Sequence, residues 1–478
     1  MTTNRRSLSR IAGAIGLFAF LLPAGCGDTI NVADGVSVIP GDLTVYTQSE
    51  LALLAGVKQV LGRLTIGPDH DPGDPIRDLS PLRELVYVAD DLVLEGLSEL
   101  GNVHGLSSLE VVGRQMRLSG LEAVQSLDGL EMLWGVGSRL DVIGNPALTS
   151  IAGLSGLHRM QQGGLTIANN PALSSLHGLE GLTRLGDSPG QYGTLAIQSC
   201  DALTDLRGLD HLAELRTLNI ENCAALADLR ALGELRHLAS ELELRGLPQL
   251  TSLEGLQGLD YCPTLSLSGM PALTSLAPLS PTGLTTIELQ GLGIVDLSAL
   301  PPLDQLLALA LADNAALESL VGLPGTVTLT SFKIRNSGSL SSLAGLSGHP
   351  VTVGLAIESC QLLVSLAGLE AVAALNGTLV IAHNEGLLSL DGLGGLGSVG
   401  DDVVIGYNAA LCDTLAEAFA EGLDVGGNIT LIDNADCGEG LAACPRCSRI
   451  RRTEAASVTK ARIRMAPPQR GQTRGSTS

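Results

Sequence analysis

Short aliphatic triplets with a free middle position recur along almost the whole chain, as in Leu165-Thr166-Ile167, Leu195-Ala196-Ile197 and Leu218-Asn219-Ile220. Sixteen of them begin at Leu64, Leu92, Met116, Leu140, Leu165, Leu195, Leu218, Leu242, Leu265, Ile287, Leu309, Phe332, Leu355, Leu379, Val403 and Ile429, spaced 22 to 30 residues apart. The outer residues are apolar and the middle one varies (Thr65, Arg117, Asp141, Glu243, Lys333). That period of two marks a strand with one face in the core and the other in water. After each triplet the leucines fall into a spacing of three, as in Leu148, Ile151, Leu154 and Leu157. Such spacing suits a tight 3₁₀-like or extended coil better than the 3.6-residue turn of an α-helix. The pattern predicts a mainly β protein, one short strand per coil, with helices scarce in its body.

A single coil cannot cover its own apolar face, so the unit is stable only as a stack with special ends. The sixth position from each strand start is a predicted buried corner. It holds Asn145, Asn170, Cys200, Cys223, Asn314, Cys360, Asn384, Asn408 and Asn434, with Ser337 beside them and Leu247, Met270 and Leu292 as apolar exceptions. An asparagine there can bond backbone groups of its own and the next coil, and cysteine is a compact substitute.

The run Leu195-Ala196-Ile197-Gln198-Ser199-Cys200 resembles the leucine-rich repeat. Ile76-Arg77-Asp78-Leu79-Ser80-Pro81-Leu82 and Ile294-Val295-Asp296-Leu297 look like internalin-type repeats. Val60-Leu61-Gly62-Arg63-Leu64-Thr65-Ile66 and the Asn-Pro-x-Leu-x-Ser-Leu-x-Gly-Leu pattern starting at Asn145 and Asn170 resemble the receptor L domain. The resemblance implies a right-handed parallel β-solenoid of about sixteen coils with short helical caps. Both families are binding scaffolds of diverse specificity, so the likeness speaks to fold more than to function.

The remaining segments divide the chain further. Residues 1–26 read as a lipoprotein signal peptide: Arg5, Arg6 and Arg10, an apolar run Ile11–Leu22, then Leu22-Pro23-Ala24-Gly25-Cys26, which resembles a bacterial lipobox with Cys26 as the lipid-bearing residue. Residues 27–60 form a linker and cap in which Thr47-x-x-Glu50 is a capping box for a short helix stopping near Gly56. The solenoid is placed at 61–434, a Cys-rich cap at 435–447 and a basic, disordered tail at 448–478. Asp413 is the expected N-cap of a helix running through Phe419 to Gly422. An exported location favours disulfides among Cys412, Cys437, Cys444 and Cys447, with three pairings open. Cys200 and Cys223 sit at equal positions on neighbouring rungs, within reach of a disulfide. Asparagine in that slot elsewhere favours two reduced ladder thiols.

A net charge of −22 and an aromatic content of 2% argue against nucleic acid and against an aromatic stacking platform. No nucleotide-binding, metalloprotease or nucleophile-elbow motif is present, and the eight histidines are read as solvated loop residues. No cofactor and no enzymatic activity are expected. Asp69, Asp71 and Asp74, with Asp78 beyond, could offer oxygen ligands to Ca²⁺, but aspartate beside Gly and Pro is an ordinary turn former, as are Asp90-Asp91 and Asp401-Asp402. The candidate ligand face is the charged strip of Asn219, Glu221, Glu243, Arg245, Glu288, Lys333, Arg335 and Glu358. The expectation is a lipid-anchored envelope protein, at the outer membrane or cell surface, that presents a solenoid to a protein or glycan in adhesion or recognition. A structural spacer without a ligand is the alternative.

Overall fold

The computed structural model describes residues 37–68, 73–186, 192–300, 303, 305–323 and 327–437. They form two compact units, the first reaching Leu317 and taking in Val321–Val327, the second comprising Glu318–Leu320 and the chain from Thr328. In both, parallel strands stack as a β-solenoid, about sixteen turns in all, and all sixteen expected triplets lie in strands. A further strand, Leu43–Val45, pairs in parallel with Leu64–Ile66, so the ladder begins one rung earlier than the pattern suggested, inside the segment assigned to the linker and cap. Register is strict: Leu140, Leu165, Leu195 and Leu218 stand in one column and Val142, Ile167, Ile197 and Ile220 in another. The outer positions of these triplets are buried, with exposures of 1% or less.

The second side of each coil carries shorter pairings. In the first unit, Val38–Ile39, Gln59–Val60, Tyr87–Val88, Val111–Val112, Gly135–Val136 and Arg159–Met160 form a six-stranded parallel sheet of two-residue strands. In the second unit Ala374–Leu375, Ser398–Val399 and Asp424–Val425 do the same. Between the sheets the leucines at spacing three lie in turns and in short 3₁₀ segments such as Ala152–Leu154 and Arg230–Leu232. Among the described residues α-helix is confined to Gln48–Ala52 and Asp413–Glu421.

Gln48–Ala52 is held by the expected capping box: the Thr47 hydroxyl accepts the Glu50 N–H, and Glu50 Oε2 accepts the Thr47 N–H, each at 3.2 Å. At Asp413–Glu421 the N-cap is Cys412 and makes no side-chain cap bond, so Asp413 opens the first turn instead of capping it. The reason lies in Cys412, whose extended backbone (φ −61°, ψ 133°) already takes the cap conformation one residue earlier. Cys412 is bonded to Cys437, with Cα atoms 5.5 Å apart, which fixes one pair among the C-terminal cysteines. Cys444 and Cys447 lie outside the described residues.

The strand-to-corner turn shows a regularity the leucine pattern did not announce. The fifth position from the strand start is left-handed in coil after coil, filled by glycine (Gly96, Gly120, Gly144, Gly246) or by Asn169, Ser199, Asn222, Asp313, Asn336, Ser359, His383, Tyr407 and Asp433, with φ between 49° and 69°. Reversing direction within one residue requires this conformation, and Gly, Asn and Asp adopt it at least cost.

Candidate functional site

The corner residues join the coils into a ladder, but their backbone partners lie on the preceding coil and not, as expected, on their own and the next. Asn145 Oδ1 accepts the N–H of Leu121 at 2.9 Å and its Nδ2 donates to the Leu118 carbonyl at 3.2 Å, both on the preceding coil. Asn170 repeats this against Asn145 and Val142 at 3.0 and 2.9 Å. Asn384, Asn408 and Asn434 continue it in the second unit. The backbone partners of each side chain thus lie on the coil before it, whereas Asn384 and Asn408 also donate to the Oδ1 of the asparagine on the next coil, at 3.3 and 3.1 Å. Cysteine takes the same part with weaker groups: the Asn170 N–H reaches the Cys200 sulfur, and the Cys200 N–H that of Cys223. Cys200, Cys223, Cys262 and Cys360 are free and buried, so the first two are ladder thiols and not a disulfide. Hydrogen bonding to Cys223, then burial, raises the Cys200 thiol above its ordinary range. Burial pushes Cys262 up to about 12 and Cys360 up to about 11.

Of the candidate strip, five residues belong to the first unit. Asn219 Nδ2 donates to Glu221 Oε1 and to Glu243 Oε2, both at 2.9 Å, tying two rungs together across the water-facing side. Arg245 is in register with Glu221, and Glu288 with Ser266, one rung beyond Glu243. Burial first, then the charges of Glu221 and Glu241, raises the Glu243 carboxyl above its usual value. Lys333, Arg335 and Glu358 belong to the second unit, where Arg335 and Glu358 are in register and Lys333 faces Ala356.

A second polar network, nearer the start of the first unit, was not singled out in the sequence. Asp91, only 5% exposed, accepts from Arg63 Nη2 at 2.6 Å and Nε at 3.0 Å and from the Gln115 N–H at 3.2 Å. Asp141, 3% exposed, accepts from Arg139 Nε at 2.6 Å and from Gln115 Nε2 at 2.7 Å. Asp91 is thus more than a turn former: it stands just before its strand and receives the backbone N–H of the equivalent residue on the next coil. Asp42 does the same for Arg63 and Asp402 for Asn428, at 2.8 and 2.7 Å. An aspartate directly before a triplet was the available signal.

The calcium reading gains no support at the residue that is described. Asp74 Oδ2 accepts the Ser49 N–H at 3.0 Å, and bonds from the Ser49 side chain and backbone hold its carboxyl below the usual value. Asp78 is bonded to Ser80. Asp69 and Asp71 lie outside the described residues, and among the described residues no cluster of metal-ligating side chains occurs. Cys26 also lies outside them. No helix of the described residues is long and apolar enough to cross a membrane.

The rings are not all isolated, and the histidine expectation needs correction. Rings are few, but some meet: Trp134 stacks on His158 at 5.9 Å, His237 stacks on Tyr261 at 5.0 Å and lies tilted against Tyr192 at 5.1 Å, and His383 stacks on Tyr407 at 4.5 Å. Nor are all histidines solvated, since His349 is 2% exposed. Beside Trp134, a notch opens on the second side of the first unit, lined by Val111, Gly135, Gly137, Arg159 and Gln161. No protein-family model matches the chain, and a search of curated proteins finds no match.

Proposed function

We propose that the chain is a lipid-anchored, cell-surface binding protein whose solenoid presents a rigid polar face to a protein or glycan partner. The observation that carries this reading is the cross-rung tie of Asn219 to Glu221 and Glu243, which holds charged groups in fixed columns on the water side of the ladder. Preordered side chains lose less entropy on binding than free ones. The stretch Leu22-Pro23-Ala24-Gly25-Cys26 supports anchoring in a bacterial envelope, with Cys26 as the acylated residue.

Two measurements test it. Mass spectrometry of the mature N-terminus, with fractionation of Cys26→Ser, is expected to show acylation and its loss. Recovery of the unaltered protein as a soluble, unacylated species contradicts the anchor. A pull-down from envelope extract with the purified protein is expected to retain a partner that is released by Glu221→Ala with Glu243→Ala. Failure to retain any partner favours the spacer reading.

A further inference from the structure

The last described rung ends in an open edge. Internal rungs hand N–H groups to the rung that follows: Val403 donates to the Asn428 carbonyl and Tyr407 to that of Ile432, both at 2.8 Å, as Leu379 and His383 do one rung earlier at 3.0 Å. The equivalent groups on the last rung belong to Ile429 and Asp433, and among the described residues no carbonyl follows to receive them. Ile429 is 38% exposed, whereas the first residue of every earlier triplet is exposed by 1% or less. Leu415, Phe419 and Leu423 beside it are also only half-buried. Such an edge is a template for pairing, and proteins blunt it with charge, proline or a cover. Ile429-Thr430-Leu431-Ile432 has neither charge nor proline.

We propose that the cover is the chain's own Ile463-Arg464-Met465, added in parallel to Ile429-Thr430-Leu431 as one further rung. It has the form of the other triplets, apolar at both ends with a free middle, and is close to Met116-Arg117-Leu118. It begins 34 residues after Ile429, room for the full coil that a parallel connection needs. Charge selects the same occupant. Residues 401–437 hold eight acids and no Lys, Arg or His, whereas residues 448–478 hold eight Lys and Arg against Glu454 alone. The acids crowd one another: after burial, the charges of Glu417, Asp436 and Asp433 raise the Asp413 carboxyl above its usual value. A second copy's last rung would set like charge against like, at a cost.

In this register the carbonyls of Arg462 and Ala466 stand where Asn428 and Ile432 stand one rung earlier, and accept from Ile429 and Asp433. Pro467 then falls on the fifth position, which is left-handed in the rungs from Leu92 to Ile429 and which proline, with φ near −65°, cannot serve. Pro68 occupies that position in the Leu64 rung, but there Gly67 takes the positive φ in its place, and Ala466 does so only at a cost. The ladder stops, and its new edge carries Arg462, Arg464 and Pro467-Pro468.

The full-length protein tests this without any ligand. Amide exchange at Ile429 and Asp433 is expected to be slow in wild type and roughly tenfold or more faster in Ile463→Asp with Met465→Asp, while Leu242 and Val403 stay protected in both. Equal exchange at Ile429 and Asp433 in the two proteins, fast or slow, overturns the proposal. A second measurement needs no variant, because Lys460 is the only lysine beyond Lys333. Zero-length carbodiimide coupling, on a mixture of ¹⁴N- and ¹⁵N-labelled protein, is expected to join Lys460 to an acid within residues 401–437 of the same chain. Coupling only between differently labelled copies gives the edge to a second copy's tail and overturns the proposal, as does coupling of Lys460 only to acids outside 401–437.

Discussion

Asn170 shows how much a single amide carries, for it satisfies the Asn145 N–H and the Val142 carbonyl on the coil before it at 3.0 and 2.9 Å. Replacing it with leucine leaves both groups buried without a partner, an expected loss of about 1–3 kcal/mol in thermal or denaturant melts. Asn170→Cys is expected to lose less, since Cys200 fills the same slot one rung on. The corner was legible in the sequence because Asn and Cys recur at one fixed offset from the strand. The left-handed residue just before it was not, because six different residue types occupy the position and only the backbone angle unites them. Ser359, with φ at 56°, tests that angle. Ser359→Val is expected to be less stable than Ser359→Gly by about 1–2 kcal/mol, the usual cost of a side chain crowding this conformation. Equal melting of the two variants would contradict the assignment.

At the level of rungs, the polar strip trades stability for fixed charge. Glu243 is held protonated more readily in the fold than in the unfolded chain, chiefly by burial and then by Glu221 and Glu241. A raised carboxyl pKa means that the folded state binds more protons, so this group's contribution improves as pH falls from neutrality toward the ordinary glutamate value of 4.5. Glu243→Gln keeps an acceptor for Asn219 and loses the charge. It is expected to melt higher than wild type at pH 7, with the gain disappearing toward pH 4.5; a gain independent of pH would exclude the charge as its cause. The closing rung depends on a different device. Ile429–Ile432 has no buried residue in its strand, with Ile429 at 38% exposure, and its fastening is the Cys412–Cys437 bond. Reduction is expected to release amide protection first near Ile429 and then toward Leu379, whereas Leu165 to Leu289 stays protected in hydrogen exchange. Simultaneous loss along every rung would refute the capping role. The triplets announced these strands, yet which cysteines pair was decided by where the chain ends its last coil, and spacing alone left three arrangements open.

For the molecule as a whole, nearest-neighbour stacking was the readable part and the division into two units was not. The boundary falls between the Leu309 and Phe332 triplets, a stretch whose leucine spacing is ordinary. Leu43-Thr44-Val45 was passed over for a related reason, as it precedes a capping box instead of the usual corner. The direction of the corner bonds has a consequence for how such a chain can lengthen. Each of Asn145, Asn170, Asn384, Asn408 and Asn434 addresses an N–H and a C=O of the coil before it, groups that every coil possesses, and the added bonds of Asn384 to Asn408 and of Asn408 to Asn434 only supplement these. A duplicated coil therefore arrives with the means to fasten itself onto whatever coil it lands behind. Copying errors within the gene can extend the array by whole turns without a compensating change anywhere else.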